Sequence, residues 1–138
     1  MSHCVKRQNG REEWILDEKL HRDDGPAVID TYGTEYWYSH GVVHKEDGPA
    51  INKSDGQEEW YLNGWRHRED GPAIIKPDGA EYWYYHGKRH RKDGPAIIIP
   101  CGTEAWYYHG EEVEKTDPRI CQVGSATKAC RKACRGGK

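Results

Sequence analysis

The sequence contains no phenylalanine, only one methionine, and no apolar run near the roughly 18 residues that a membrane-spanning helix needs. No transmembrane segment is therefore expected. Lys6 and Arg7 are followed by no apolar core, so we expect no secretory signal either. Large apolar surface comes instead from 6 Trp and 9 Tyr, whose rings also carry a hydrogen-bonding group. These features predict an intracellular, cytoplasmic protein with many half-buried rings.

Paired cysteines are also not expected. The chain has five, an odd number at irregular spacing, which favours reduced thiols in a protein without a signal. Two of them, Cys130 and Cys134, lie in a basic segment where lipidation, metal binding or cross-linking are alternatives to a simple solvated tail. The cysteines are Cys4, Cys101, Cys121, Cys130 and Cys134.

Charge is unevenly distributed along the chain. Residues 125–138 contain five basic residues and no acid, and since the whole chain carries −2, the remainder carries −7. An acidic body is a poor nucleic-acid binder over most of its surface. The short basic C-terminal tail, however, is suited to contact an anionic surface, and a third, weaker hypothesis is that it anchors the protein to nucleic acid or membrane.

The chain is organised by a repeat of 23 residues, a period typical of stacked repeat proteins. Tryptophan recurs at this interval in every copy, and a glycine and a glutamate keep the same step. Residues 1–9 precede the array and match nothing in the repeat, so they are either a lead-in segment or a partial edge strand. The five predicted repeats are 10–32, 33–55, 56–78, 79–101 and 102–124, and the recurring tryptophans are Trp14, Trp37, Trp60, Trp83 and Trp106.

Each repeat is predicted to form two strands. The first is the E-x-W-Y segment, such as 58–62, and the second is the P-A-I segment, such as 72–76, since both are rich in aromatic or β-branched residues and bounded by Gly, Pro and Asp. A tight turn such as 77–79 links successive repeats, and a longer loop such as 86–94 lies inside each one. The prediction is an all-β fold, an elongated antiparallel meander of tandem β-hairpins with about ten strands.

Alternation along the strands assigns the predicted faces. Tryptophan never varies, so we expect it to form the buried ladder. On the second strand an apolar column stands beside a column of alanines, and we expect the tryptophan rings to pack over it with alanine leaving room. The apolar column is Val28, Ile51, Ile74, Ile97 and Ile120, beside Ala27, Ala50, Ala73 and Ala96.

A histidine precedes an aspartate by three residues in four repeats, which is a candidate acid–base or metal-ligating pair. Four copies of one dyad favour a structural role instead, with Asp accepting backbone N–H bonds in the turn and His fixing the loop. Neighbouring copies would lie near 10 Å apart, too far to share a zinc ion, so no metal or other cofactor is expected. The residues are His21, His44, His67 and His90, with Asp24, Asp47, Asp70 and Asp93.

The words W-Y-L-N-G-W-R-H at 60–67 and D-G at 78–79 resemble MORN repeats over residues 10 to about 120. The resemblance implies hairpin repeats that act as protein-binding, dimerising or membrane-associating scaffolds and not as catalysts. The words H-R-E-D-G-P-A at 67–73 depart from the usual H-G-x-G by one extra residue before the second glycine. Arrays with D-G-P-A words are similar to those of large DNA viruses and phages, which implies a viral origin and, in that case, a place in the virion.

The predicted function is a non-enzymatic scaffold for protein–protein interaction or for self-association, for example as a homodimer. Specificity is expected to be carried by positions that vary between repeats. The alternative is a groove for a nucleotide-like ligand, because a tyrosine column can stack bases. Variable positions include Glu13, Tyr36, Glu59 and Tyr82, and also Lys19, Val42, Trp65, Lys88 and Glu111. The candidate binding residues are Trp65, Tyr36, Tyr82, Tyr38, Tyr61, Tyr84, Tyr107, Arg66 and Arg89, with Arg91 added for the groove.

Overall fold

The protein is an antiparallel all-β meander of consecutive hairpins, as the sequence predicts. The computed structural model describes residues 2–120, and within them every regular element is a strand and no helix occurs. The chain divides into two compact units, one ending at Arg66 and the other beginning at His67. The predicted basic tail, 125–138, and three of the five cysteines lie outside the described residues, whereas Cys4 and Cys101 are unpaired and exposed.

The first unit contains one principal sheet and three small hairpins. The principal sheet has the order β1-β2-β4-β5-β8-β9, with every neighbouring pair antiparallel. Small hairpins are formed by β2 with β3, β6 with β7 and β10 with β11. The strands are β1 (His3–Lys6), β2 (Glu12–Leu16), β3 (Lys19–Leu20), β4 (Val28–Ile29), β5 (Glu35–Tyr36), β6 (Tyr38–Ser39), β7 (Val42–Val43), β8 (Ile51–Asn52), β9 (Glu58–Glu59), β10 (Tyr61–Leu62) and β11 (Trp65–Arg66).

The second unit repeats this plan. Its principal strands have the order β12-β13-β16-β17-β18, again antiparallel throughout, and β14 with β15 forms a small hairpin. The strands are β12 (Ile74–Ile75), β13 (Glu81–Tyr82), β14 (Tyr84–Tyr85), β15 (Lys88–Arg89), β16 (Ile97–Ile98), β17 (Glu104–Tyr108) and β18 (Glu111–Val113).

The predicted tight turn between repeats is confirmed at 76–79. The Gly79 N–H donates to the Lys76 carbonyl at 2.9 Å, which places Pro77 at the second turn position, where its fixed φ fits. Gly79 has φ +95°, a value that glycine adopts without strain. The Asp78 carboxylate accepts the Ala80 N–H at 2.9 Å and so fixes the turn from its own side chain.

The prediction of a long loop at 86–94 is wrong for the first half of that segment, where the chain forms a tight hairpin. His86 has φ +49° and Gly87 φ +83°, and these two residues alone join β14 to β15. Two successive positive φ values define the type I′ turn, whose twist matches that of the flanking strands. The same turn is formed by Asn63 and Gly64 between β10 and β11. Asn-Gly is a strong sequence signal for this turn, and it was missed.

The first strand of the inner repeats is also divided, which corrects the predicted number of strands. In the third repeat, Trp60 separates β9, which pairs in the principal sheet, from β10, which pairs in the small hairpin. One E-x-W-Y segment therefore contributes a strand to each of two sheets. Together with the small hairpins it gives eighteen short strands in residues 2–120, where about ten were expected.

The register of the sheet contradicts the expectation that tryptophan rings pack over the valine and isoleucine column. Val28 lies opposite Glu13 and Tyr36, so the aliphatic column shares a face with the residue before each tryptophan. Within β2, Trp14 therefore points to the other face. The tryptophan backbone instead neighbours the alanine column, because the Trp14 N–H donates to the Ala27 carbonyl at 2.7 Å. The four alanines of this column have no exposed surface.

The two ends of the described chain differ from the inner repeats. At the N-terminus β1 lies in the predicted lead-in and pairs with β2, so the partial edge strand is the correct alternative. Towards the C-terminus, the described part of the fifth repeat contains a turn in which the Ile120 N–H donates to the Asp117 carbonyl at 3.0 Å. Ile120 is buried, but it does not lie on a second strand as predicted.

Candidate interaction surfaces

The recurring histidine links each repeat to the next through a backbone hydrogen bond, which we call the histidine latch. His67 Nδ1 accepts the His86 N–H at 2.9 Å, and His90 Nδ1 accepts the His109 N–H at 2.8 Å. The donor in each case is the first residue of the next type I′ turn. The expectation that histidine fixes the loop is confirmed. The remaining latches, in the first unit, join His21 to His40 and His44 to Asn63.

The latch fixes the tautomer of the neutral imidazole. Because Nδ1 accepts a hydrogen bond, a neutral ring carries its proton on Nε2. Nε2 of His21 lies 3.1 Å from Asp23, and Nε2 of His67 lies 3.5 Å from Glu69, so a carboxylate faces the N–H side. This acid is two residues after the histidine, whereas the candidate dyad in the sequence used the aspartate three residues after it.

The aspartate three residues after the histidine has a different partner, which corrects its predicted role. Asp93 accepts a hydrogen bond from Arg91 Nε at 3.0 Å, and Arg91 Nη1 donates to the Pro95 carbonyl at 3.1 Å. The guanidinium also lies 3.8 Å from the centre of the Trp83 ring, a cation–π contact. One arginine thus closes the D-G-P turn over a tryptophan, an arrangement that we call the arginine clip.

The clip is repeated in both units. In the first repeat Arg22 bonds Asp24 at 3.0 Å and the Pro26 carbonyl at 3.2 Å, and lies 4.0 Å from the Trp14 ring centre. In the second repeat Lys45 stands over Trp37 at 3.9 Å, without the guanidinium fork. The glycine of each D-G-P turn makes room for the clip. A Cβ on Gly25, Gly71 or Gly94 would lie 2.7 to 2.9 Å from the guanidinium carbon of Arg22, Arg68 or Arg91.

The tyrosine column predicted to bind ligands is half-buried and engaged by arginines. Arg66 lies opposite Tyr61 in the β10–β11 hairpin, with its guanidinium 5.8 Å from the ring centre. Arg89 lies 5.4 Å from the ring centre of Tyr107. Burial, together with the neighbouring Glu59 carboxylate, raises the pKa of Tyr61. The half-buried members of the predicted set are Tyr36, Tyr38, Tyr61, Tyr82, Tyr84, Tyr107, Arg66 and Arg89.

Two variable residues predicted to face a partner are buried, which is a further correction. Glu59 is 5 % exposed, and its carboxylate accepts a hydrogen bond from Gln57 Nε2 at 2.9 Å and lies 3.2 Å from Lys53 Nζ. Glu13 is also buried and accepts a hydrogen bond from Arg7 Nε at 2.9 Å. That hydrogen bond holds the pKa of Glu13 below its usual range, against the opposing effect of burial. These acids are internal ion-pair partners and not surface determinants.

Trp65 and Val42 are the large apolar side chains most exposed on the small hairpins of the first unit, with 59 % and 42 % of their surface accessible. They occupy the same repeat position, the first residue after the type I′ turn. Their hairpins are adjacent, because the Gly64 N–H donates to the Val43 carbonyl at 2.8 Å. Val42 Cγ1 would lie 3.0 Å from a Cβ on Gly64, so it packs against the turn that precedes Trp65. We call these two residues the Val42–Trp65 patch.

Comparison with known proteins adds no relative on which to base a function. No protein-family model matches the chain, and no curated protein matches it significantly. Within residues 2–120, no cluster of three or more potential metal-ligating side chains occurs. The same residues contain no helix long and apolar enough to cross a membrane.

Proposed function

We propose that this protein is a non-enzymatic repeat scaffold that binds a protein, either a partner or a second copy of itself, through the Val42–Trp65 patch. The observation that carries the proposal is the 59 % exposure of Trp65 beside a second exposed apolar residue. Tryptophan is enriched among the residues that dominate binding energy at protein interfaces. The MORN-like resemblance and a viral origin remain part of this hypothesis.

The repeated polar residues support the proposal because they already have partners inside the fold. The latch histidines bond backbone N–H groups, and the clip arginines bond aspartate and a proline carbonyl. A catalytic dyad from His67 and Asp70 would need their side chains to meet, yet Asp70 bonds Arg68 Nε at 3.1 Å. The residues that the repeat conserves therefore maintain the scaffold, and variable exposed positions are the better candidates for recognition.

The same contacts count against the ligand groove. Arg66 and Arg89 each lie over a tyrosine ring, and Arg66 Nη2 also lies 3.6 Å from Glu59. A base stacking on Tyr61 or Tyr107 would have to displace a guanidinium from the ring. Stabilisation by nucleotides in a thermal-shift titration at near-stoichiometric concentration would favour the groove over the scaffold.

The test replaces both residues of the patch, Val42→Ser with Trp65→Ser, and follows self-association by light scattering and partner contacts by a photo-cross-linker at position 65. The matched control is Tyr32→Ser, since Tyr32 is 82 % exposed but lies in the tight turn between repeats. We expect association to be lost in the patch variant and retained in the control. In the otherwise natural sequence, we expect a cross-linker at position 65 to capture a partner and one at position 32 not to do so. Equal cross-linking from positions 32 and 65, with no effect of the patch variant, would contradict the proposal.

A further inference from the structure

The lead-in strand β1 occupies the place of a second strand in the repeat. Val5 lies opposite Glu13 in the β1–β2 pair, and Val28 lies opposite Tyr36 in the β4–β5 pair. Each residue of the first pair precedes its counterpart in the second by 23 residues, which is one repeat. Val5 therefore extends the aliphatic column, and Cys4 stands where the alanine column would continue.

β1 is less buried than the second strands inside the array. Val5 is half-buried and Cys4 is exposed, whereas Val28 is 1 % exposed. Within residues 2–120, β1 pairs with β2 alone, and no first strand lies on its outer side. An edge strand in this state offers its free backbone N–H and C=O groups to another strand. The alanines at the repeat position of Cys4 have no exposed surface, and they are Ala27, Ala50, Ala73 and Ala96.

The fifth repeat has the opposite deficiency, a first strand without a second. In the fourth repeat β13 pairs with β12 on one side and with β16 on the other. In the fifth repeat β17 pairs with β16 through Glu104 and Ala105. The described part of the chain contains no second strand after β17, because Ile120 lies in a turn. The strand that β17 lacks and the strand that β1 provides are therefore the same element of the repeat.

We propose that β1 of one copy pairs with β17 of a second copy and completes the fifth repeat of that copy, so that chains associate head to tail. The register follows from the fourth repeat, where Glu81 lies opposite Ile98. Glu104 and Lys6 have the same two repeat positions, so they lie opposite each other in the contact. Two different surfaces meet, and each pair of chains keeps one free β1 and one free β17 to which further copies add.

Charge complementarity favours a second copy of this chain as the partner of β17. Lys6 Nζ lies 3.6 Å from the Glu12 carboxylate, and 76 % of the lysine side chain remains exposed. In the proposed register Lys6 lies between Glu12 of its own chain and Glu104 of the other copy. Opposite charges directly across a strand pair stabilise it, so this row of acid, lysine and acid is favourable. The inner second strands have an uncharged residue at the position of Lys6, and these residues are Ile29, Asn52, Ile75 and Ile98.

The experiment exchanges the two charges and measures association of the full chain by sedimentation velocity over a concentration series, under reducing conditions. Lys6→Glu alone and Glu104→Lys alone each place like charges across the strand pair. We expect each variant to raise the concentration of half-maximal association by roughly fivefold to tenfold. In an equimolar mixture of the two variants, every contact between unlike chains again pairs an acid with a lysine, so we expect association to return. The matched control is Lys92→Glu, which makes the same charge change at an exposed loop position and should have no effect.

A disulfide between separate chains tests the register. Val5→Cys in one chain and Ala105→Cys in another, both with Cys4→Ser, are mixed and oxidised, and the linked peptides are identified by mass. Residues directly opposite in paired strands have Cβ atoms close enough for a disulfide, so we expect a link between positions 5 and 105. A link from position 105 to Cys121 of the same chain as the main product would show that the chain's own C-terminal segment occupies this edge, and would overturn the proposal.

The charge exchange also separates this contact from the Val42–Trp65 patch, to which neither Lys6 nor Glu104 belongs. Association that is weakened in each single variant and restored in the mixture supports the head-to-tail contact, and restoration excludes misfolding as the cause of the loss. A monomer at every concentration, or a mixture that stays dissociated, would overturn it. Association that survives both charge reversals but is lost in the patch variant would assign self-association to the patch and overturn the head-to-tail contact alone.

Discussion

Two tryptophans of this chain, Trp106 and Trp65, have opposite environments. Trp106 belongs to the 23-residue column and is 9 % exposed, whereas Trp65 occupies a position where other repeats carry lysine, valine or glutamate and is 59 % exposed. The ring of Trp106 is covered by Lys115 at 5.6 Å. Tryptophan is thus buried within the fold at the position where every repeat has it, and exposed at a position where the other repeats have different residues.

The largest effect expected from this comparison is on stability. Trp106→Ala removes a buried ring and should lower the free energy of unfolding by about 3–5 kcal/mol, the usual cost for a buried aromatic. Trp65→Ala should change it by less than about 0.5 kcal/mol, as for other exposed side chains. Urea denaturation followed by circular dichroism measures both, and similar losses in the two variants would show that Trp65 also supports the fold.

The second prediction concerns the contribution of the histidine latch to stability. The latch joins a histidine side chain to a backbone N–H of the next repeat. His67→Ala leaves the His86 N–H without its acceptor and should cost about 1–3 kcal/mol. The matched control is His86→Asn, because Asn63 occupies the corresponding turn position one repeat earlier and donates its own N–H to His44 at 2.9 Å. That control keeps the backbone donor, and we expect it to change stability by less than about 0.5 kcal/mol. A control as unstable as His67→Ala would assign the effect to ring contacts and not to the latch.

The third prediction tests whether Gly94 stabilises the fold by leaving room for the Arg91 guanidinium. Arg91→Ala should cost about 1 kcal/mol through the lost cation–π contact and hydrogen bonds. Gly94→Ala should cost a similar amount, because its new methyl group displaces the same guanidinium, which lies 2.9 Å from the Cβ position. The double variant should then be no less stable than the worse single variant. Additive losses in the double-mutant cycle would show that the two residues act independently.

The smallest expected effect on stability comes from converting the lysine of the second repeat into an arginine clip. Lys45 replaces arginine in the second repeat and keeps the contact with its tryptophan at 3.9 Å. Lys45→Arg should restore the fork to the neighbouring proline carbonyl and aspartate and raise stability by up to about 0.5 kcal/mol, since exposed ion pairs add little. A melting temperature that falls would indicate that the second turn cannot seat a guanidinium.

The repeat and its tight turns could be predicted from sequence because they depend on local rules. Asp78 and Gly79 predict a turn because of their own conformational preferences, and the constant 23-residue spacing predicts the register of the repeats. The turn at 86–87 is harder to predict, because His-Gly is not one of the usual dipeptides of a type I′ turn, whereas its equivalent Asn63-Gly64 is. Sequence reasoning therefore placed a loop where the chain forms a hairpin.

The contacts that define the candidate sites could not be predicted in the same way, because they depend on the path of the backbone. Their spacing made His67 and Asp70 a candidate pair, yet the Asp70 carboxylate accepts a hydrogen bond from Arg68 and His67 accepts one from the backbone of His86. Glu59 occupies a position that varies between repeats, which predicts exposure, but it is buried and its carboxylate lies beside Lys53. Variation between repeats therefore does not by itself identify a surface residue. That Trp65 is exposed and Glu59 is buried could be learned only from the structure.

The latch has a consequence for the length of the array. Its donor and acceptor are 19 residues apart within a period of 23, so each latch bridges two consecutive repeats and needs no residue from a third. Inserting or deleting one whole repeat adds or removes one latch and leaves every other donor with its acceptor. The gene can therefore grow or shrink by units of 69 nucleotides, three per residue, without creating an unsatisfied backbone group at any internal joint.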